Sequence, residues 1–340
     1  MARLEAGKLP PELLKRLLDK VRIEDPRVLL GPAIGADAAL IDCGDTILVV
    51  KSDPVTFATD MIGWYAVHVN ANDIACMGAT PKWFVASLLL PEGTEEQQVE
   101  AIFRQITDAC RSVGASLVGG HTEVTIGLPR PVMVGAMLGE VPKGREVRPD
   151  GARVGDALVL TKGIAIEGTA LLARDAAGRL TEAGSSNNVM DSAKDLLLHP
   201  GISVVRDAHI ACNNAAIHAL HDPTEGGVAT GIWEMASASQ VGFEVNEAQL
   251  QASVLPETHS ICRALGLDPL GLLASGALLI VVAPQDLDAL LASLQDAGIP
   301  ARQIGRAVSP ENSVTLKTSR GECKPMPVFV RDELARFLSS

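Results

Sequence analysis

The 340-residue chain is poor in aromatics, with six Phe, three Trp and one Tyr. It therefore lacks the stacking platforms on which single-stranded nucleic acids are held. A basic surplus is also missing: 29 Lys+Arg stand against 41 Asp+Glu, a formal charge of −12. Divided at 150/151, the halves carry 15 basic against 20 acidic residues and 14 against 21. Neither half is suited to neutralising a phosphate backbone, so nucleic acid is not an expected partner. No apolar run approaches the roughly 18 residues of a membrane span, and the charges spread through the first thirty residues argue against a signal peptide. The six cysteines, at 43, 76, 110, 212, 262 and 323, form no Cys-x-x-Cys pair. Such scattered thiols fit a reduced, cytoplasmic protein and not a disulfide framework or a zinc site. Also absent are Gly-x-x-x-x-Gly-Lys-Ser/Thr, Gly-x-Gly-x-x-Gly, Gly-x-Ser-x-Gly and His-Glu-x-x-His. P-loop, Rossmann, hydrolase-elbow and zinc-peptidase readings thus lose their signatures.

What the chain has is core material. Hydrophobic residues make up 47%, and at roughly 150 residues per domain the length suits two domains. Pro10-Pro11 opens a first short helix. Ala38–Asp42 and Thr46–Val50 flank Cys43-Gly44-Asp45 as a hairpin. A helix is predicted from Gly63 to Met77, with Asp60 as its N-cap and an apolar stripe of Trp64, Val67, Ala71, Ile74 and Ala75. Trp83–Leu90 reads as a buried strand. Thr94-Glu95-Glu96-Gln97 has capping-box spacing before a helix that Gly114 stops. Strands follow near Ala115–Val118 and Val132–Glu140. The Gly-, Pro- and charge-rich segment Pro142–Gly155 divides the chain into domains 1–145 and 150–340. The second is predicted to hold strands at Ala157–Thr161, 278–283 and 301–308, and helices near 167–177, 189–198, 203–220, 227–239 and 285–297. Alternating strands and helices with hairpins indicate a two-domain α/β or α+β architecture.

Aspartates at element ends beside small residues carry the chemical signal. Asp37 follows Gly31-Pro32-Ala33-Ile34-Gly35-Ala36, Asp53 ends the strand Leu48–Ser52, and Asp222 precedes Pro223-Thr224-Glu225-Gly226-Gly227. Asp73 lies on the 63–77 helix, nearly opposite its apolar stripe, with Asn70 one turn earlier. Carboxylates near glycine-rich turns are what Mg²⁺ and a polyphosphate require: hard oxygen ligands, and backbone N–H groups free to approach phosphate. Taken singly, each Asp is as well explained as a cap, turn or solvated helix residue. Gly119-Gly120-His121-Thr122 is predicted to be a loop after a strand, and Lys162-Gly163 with Glu167-Gly168-Thr169 repeats the strand–Gly–helix arrangement. Read singly, these residues allow a Mg–phosphate enzyme and go no further.

The ordered set is more specific. Gly-Pro-Ala-Ile-Gly-Ala-Asp-Ala-Ala (31–39), Lys-Ser-Asp-Pro (51–54), Val-Asn-Ala-Asn-Asp-Ile-Ala-Cys-Met-Gly-Ala-Thr-Pro (69–81), Gly-Gly-His-Thr-Glu-Val (119–124) and His-Asp-Pro-Thr-Glu-Gly-Gly-Val-Ala (221–229) resemble the AIR synthase, or PurM-like, superfamily. The resemblance runs from Gly7-Lys8 to about Gly305. Lys162–Ala170 and His221–Gly227 look most like its HypE-like, AIR synthase-related branch. The resemblance implies a PurM-like fold, with an N-terminal domain that forms a barrel-like dimer core with a second copy, and a C-terminal α/β domain. It implies ATP and Mg²⁺ as cofactors. Asp37, Asp53, Asp73 and Asp222 are then the metal carboxylates, Asp53 and Asp73 being the catalytic pair. Lys51, Asn70, Gly119, Gly120, Thr122, Gly226 and Gly227 become the ATP-binding residues.

The implied activity is ATP-dependent activation of an amide or carboxamide oxygen with phosphate release, in a cytoplasmic homodimer with a role in hydrogenase maturation. The HypE-type terminal cysteine tail is missing, because Cys323 stands 17 residues (340 − 323) before the end, and no carrier role is assigned to it. Two alternatives accompany this reading. A small-molecule kinase like thiamine-monophosphate kinase would transfer phosphate to an acceptor, although His121 stands where that enzyme has an acid. A catalytically weak dimeric scaffold is supported by Ala33, Ala36 and the missing tail.

Overall fold

The computed structural model describes Leu9, residues 11–33, 35–56, Ala58 and residues 60–339. Gly7, Lys8 and Pro10 of the N-terminal expectations, and Ile34 of the first glycine motif, lie outside the described residues. Two compact units are formed. One comprises Ile23–Gly31 and Asp37–Glu146. The other comprises Val147–Ser340 with the segment up to Arg22 and Pro32–Ala36. The first helix, α1 (Pro11–Leu18), therefore belongs to the second unit.

The N-terminal unit is a six-stranded sheet in the order β1-β2-β3-β6-β4-β5. Its strands are β1 (Val28–Leu30), β2 (Ala39–Asp42), β3 (Thr46–Val55), β4 (Thr80–Pro91), β5 (Ser116–Thr125) and β6 (Val132–Pro142). Along β6, buried Met133, Gly135, Met137, Gly139 and Val141 alternate with half-buried residues, the period-2 signature of a sheet with one covered face. The cover is α2 (Ile62–Cys76) and, packed on it, α3 (Glu96–Val113). Since β4 and β5 run parallel, a crossover must join them, and α3 supplies it.

Helix α2 is buried nearly all round, as expected for a helix with apolar residues on every side. This corrects the expectation of one apolar stripe with Asp73 opposite it: Asp73 is only 4% exposed. The N-cap of α2 is Met61 in the left-handed region, and not Asp60. In α3 the capping pair is shifted by one residue. Thr94 donates its hydroxyl to the Pro91 carbonyl at 2.7 Å, and Glu95 N–H donates to Gln98 Oε1 at 3.1 Å.

The C-terminal unit is a seven-stranded sheet, β13-β12-β9-β11-β7-β10-β8. It comprises β7 (Ala157–Thr161), β8 (Ile217–His221), β9 (Gly242–Asn246), β10 (Leu279–Val282), β11 (Ala301–Val308), β12 (Val314–Lys317) and β13 (Cys323–Pro325). Its helices are α4 (Ile166–Asp175), α5 (Ala177–Glu182), α6 (Asn187–Asp195), α7 (Val205–Asn214), α8 (Gly227–Ser239), α9 (Glu247–Gln251), α10 (Pro256–Leu265), α11 (Leu287–Asp296) and α12 (Glu333–Leu338). Central β7 and β10 are buried at every position, which explains why they read as unbroken apolar runs. The helix expected over 203–220 is instead α7 followed by β8. Asn213-Asn214 ends the helical run, and Ile217–His221 pairs with β10. No helix among the described residues is long and apolar enough to cross a membrane.

Candidate active site

In the N-terminal unit, four expected residues meet where α2 crosses β3. Lys51 and Asp53 are two apart on β3 and so share a face, while Asn70 and Asp73 are one helical turn apart. The Lys51 ammonium lies 3.3 Å from Asp53 Oδ2 and 3.4 Å from Asp73 Oδ2. Burying a carboxylate as deeply as Asp73 is unfavourable unless positive charge stands beside it, and Lys51 provides that charge. Asn70 is fully buried and bonded to backbone on two elements. Its Oδ1 accepts the Asp53 N–H at 2.8 Å, and its Nδ2 donates to the carbonyls of Asp53 (3.3 Å) and Ala66 (2.8 Å). It clamps the end of β3 to α2 and fixes the backbone of Asp53. Asp37 is buried in the same unit, with its carboxylate within 4.8 Å of the Cys76 thiol. The expectations had not paired Asp37 with Cys76.

Gly119, Gly120 and Thr122 fall elsewhere. They are not in a loop but within β5, an edge strand whose residues are exposed from Ser116 to Val124. The register Asp53–Gly135–Ala86–Gly120 crosses β3, β6, β4 and β5. Three strand spacings put about 14 Å of sheet between Asp53 and Gly120. Gly120 is required where it stands, because a Cβ there would lie 2.0 Å from the Ala86 carbonyl oxygen. His121 is exposed and pairs with Glu123 at 3.1 Å.

In the C-terminal unit, Asp222 ends β8 and is 1% exposed. The turn after it leads into α8, with Gly226 as N-cap. Both glycine amides expected to face a nucleotide have partners within the chain. Gly226 N–H donates to Asp332 Oδ2 at 2.7 Å, and Gly227 N–H donates to the Thr224 carbonyl at 3.1 Å. Gly227 has φ +69°, and a Cβ there would lie 2.3 Å from the Leu270 carbonyl oxygen.

Acids gather around this turn. Burial above all pushes Asp332 up to about 6, with the charge of Glu225 adding and the amides of Gly226 and Leu334 opposing. Glu167, in the first turn of α4, is pushed up to about 7 by burial, with Asp332, Asp222 and Glu225 adding and the Ser275 hydroxyl opposing. Lys162 belongs to a separate nest. Its Nζ donates to the Ser203 carbonyl at 2.5 Å and stands 3.6 Å from Asp207, which also accepts the Thr161 hydroxyl at 2.8 Å. Burial pulls the Lys162 pKa down. Sequence reasoning had not singled out Asp332 or Ser275, and had Glu167 only as part of a helix entry. The available signal was one acid inside the apolar run Ile164–Leu172.

Residues 35–141 match the family described as AIR synthase related protein, N-terminal domain, and residues 153–317 match its C-terminal domain. A carbamoyl dehydratase HypE of Rhizobium leguminosarum bv. viciae is 36% identical over 79% of this chain and 74% of its own length. A putative hydrogenase expression/formation protein of Methanocaldococcus jannaschii is 30% identical over 93% and 92%. Among solved structures, the hydrogenase maturation protein HypE in complex with ATP superposes with TM-score 0.67 at 26% identity, covering 94% of this chain and 96% of that one.

Proposed function

Because the chain belongs to the AIR synthase-related protein family, in its HypE-like branch, we propose that it is an ATP-dependent enzyme of amide dehydration. It activates a carboxamide oxygen by phosphoryl transfer and then releases phosphate, in a role tied to hydrogenase maturation. The observation that carries this reading is the Lys51–Asp53–Asp73 group, charged, buried on one side and fixed by Asn70. Little covalent chemistry falls to the protein in phosphoryl transfer, which is governed by positioning and charge. Lys51 then bears on the transferred phosphate, and Asp53 and Asp73 keep the ammonium in place.

Mg²⁺ fits the donor set. Asp37, Asp53 and Asp73 offer hard oxygens suited to this ion, and the last two already accommodate a positive charge. These three would hold it within the N-terminal unit; Asp222 is a separate metal candidate within the C-terminal unit. When bound, the ion neutralises phosphate charge. Gly119, Gly120, Thr122, Gly226 and Gly227 stay in the proposal as ATP-site residues. For Gly226 this requires the Asp332 contact to yield.

A cytoplasmic homodimer is part of this reading. The open edge β5 exposes Leu117, Val118 and Val124, and Val134 and Leu138 on β6 are only half-buried. An unpaired edge with apolar side chains is a template for a second copy. Titration calorimetry with MgATP tests the nucleotide site. Saturable binding that weakens at least tenfold in Asp73→Ala or Asp53→Ala supports it. Absent binding, or binding unchanged in both variants, contradicts it.

A further inference from the structure

One carboxylate near the C-terminus performs two tasks at once. Asp332 Oδ2 accepts the Gly226 N–H at 2.7 Å, and Asp332 Oδ1 accepts the Leu334 N–H at 2.7 Å. The Leu273 amide hydrogen-bonds the same group. Backbone amides converging on one carboxylate form the kind of concavity that holds anions. Gly226 also heads α8, a helix of 13 residues, and the N-terminus of such a helix favours negative charge. A side chain of the chain itself therefore fills the place that an incoming phosphate oxygen would take.

The carboxylate can leave that place without unpacking its helix. Helix α12 has other attachments: Glu333 Oε2 accepts the Asp268 N–H at 3.2 Å, Arg336 donates to the Gly266 carbonyl at 3.1 Å, and the Arg179 guanidinium lies 4.6 Å from the centre of the Phe337 ring. Residues 326–332, which lead into it, form neither helix nor strand. Val328 and Val330 in that link are 70% and 101% exposed, so little apolar burial holds it. What Asp332 does give up on leaving is the N-cap of α12, worth a hydrogen bond to one of its otherwise unpaired amides.

We propose that Asp332 is an internal competitor for the nucleotide's phosphate: its carboxylate occupies the Gly226 amide until a phosphate oxygen replaces it, and its departure uncaps α12. This inference rests on the reading of Gly226 as an ATP-site residue. Nucleotide binding and order at the start of α12 are then opposed, and the opposition is reciprocal. The affinity observed for nucleotide is lowered by the fraction of molecules in which Asp332 holds the amide. Loss of its negative charge should add to the gain, since a phosphate no longer meets a like charge there.

The test is calorimetry with MgATP on the full chain and on Asp332→Ala and Asp332→Asn, with hydrogen exchange of the wild type as a second readout. Asp332→Ala should tighten MgATP at least about fivefold. Asp332→Asn removes the charge but keeps an oxygen that can accept the Gly226 N–H, and should fall between the two. MgATP should raise the exchange of wild-type amides in the first turn of α12, whereas a merely structural cap would leave them unchanged. Affinity unchanged or weakened in Asp332→Ala overturns the proposal. So does equal tightening in both variants, which would mean charge alone, or exchange in α12 that stays level or falls with MgATP. Thermal melts show whether each variant is folded, and the asparagine variant with the wild-type exchange decides the matter if Asp332→Ala is not. Absence of MgATP binding in all three proteins would instead contradict the ATP reading, and the proposal with it.

Discussion

The carboxylate of Asp332 accepts the backbone N–H of Gly226 at 2.7 Å, across 106 residues of chain. The contact ties the start of α12 to the N-terminus of α8. It also brings one buried acid close enough to another, Glu167, for their charges to interact. The same carboxylate caps α12 by accepting the Leu334 N–H at 2.7 Å.

These acids give stability a definite pH dependence. Glu167 rises from 4.5 to about 7 and Asp332 from 3.8 to about 6 on folding. A raised carboxyl pKa means that the folded state binds the proton more tightly. The resulting stability is full below the unfolded value and lost as pH climbs through the folded one. Melting of Glu167→Gln against wild type should therefore show the variant gaining ground steadily between about pH 4.5 and 7. A difference that stays constant over that range would contradict the assignment.

Removing Lys51 should affect both stability and nucleotide binding. Lys51→Met leaves Asp53 and Asp73 facing one another without their ammonium, and Asp73 is deeply buried. Breaking a partly buried pair in this way costs about 2–3 kcal/mol. The melting temperature should fall, MgATP affinity should drop at least tenfold by calorimetry, and Mg²⁺ should raise the melting temperature of the variant more than that of the wild type.

Asn70→Ala removes three hydrogen bonds, two of which lock β3 to α2. It leaves the Asp53 N–H and the Ala66 carbonyl without their side-chain partner, at a cost of roughly 2–4 kcal/mol. Chemical denaturation should report that loss. Asn70→Asp should recover only part of it, since a carboxylate can still accept from Asp53 but cannot donate to the two carbonyls.

The edge strand offers a surface test. Val118 and Val124 are 55% and 59% exposed, so charge there should be tolerated by the monomer fold. Val118→Lys with Val124→Lys should shift the mass measured by light scattering from dimer to monomer, with little change in circular dichroism. A wild-type chain that is already monomeric at tens of micromolar would argue against the homodimer.

Much of the framework was legible in the residues. The unbroken apolar runs announced β7 and β10, and the motif order located Lys51, Asp53, Asn70 and Asp73 before their contacts were known. The burial of Asp73 was not legible. Helical periodicity treats an acid opposite an apolar stripe as solvated, whereas here α2 is covered on both sides and Lys51 waits on β3. Gly119-Gly120 looked like a loop because two glycines usually break a strand. Tertiary pairing with β4 overrode that local preference and carried β5 on to Thr125. Asp332 could not be foreseen, because its partner amide lies 106 residues away and no local pattern encodes such a meeting.

The central claim, that a carboxamide oxygen is activated by phosphoryl transfer from ATP, is tested most directly by isotope. A carbamoyl thiol labelled with ¹⁸O at its carbonyl is incubated with the full chain, Mg²⁺ and ATP, and the released phosphate is analysed by mass spectrometry. The account predicts one ¹⁸O atom in each phosphate, with a nitrile as the organic product. Unlabelled phosphate, or a stable phosphorylated acceptor with no phosphate released, would contradict it.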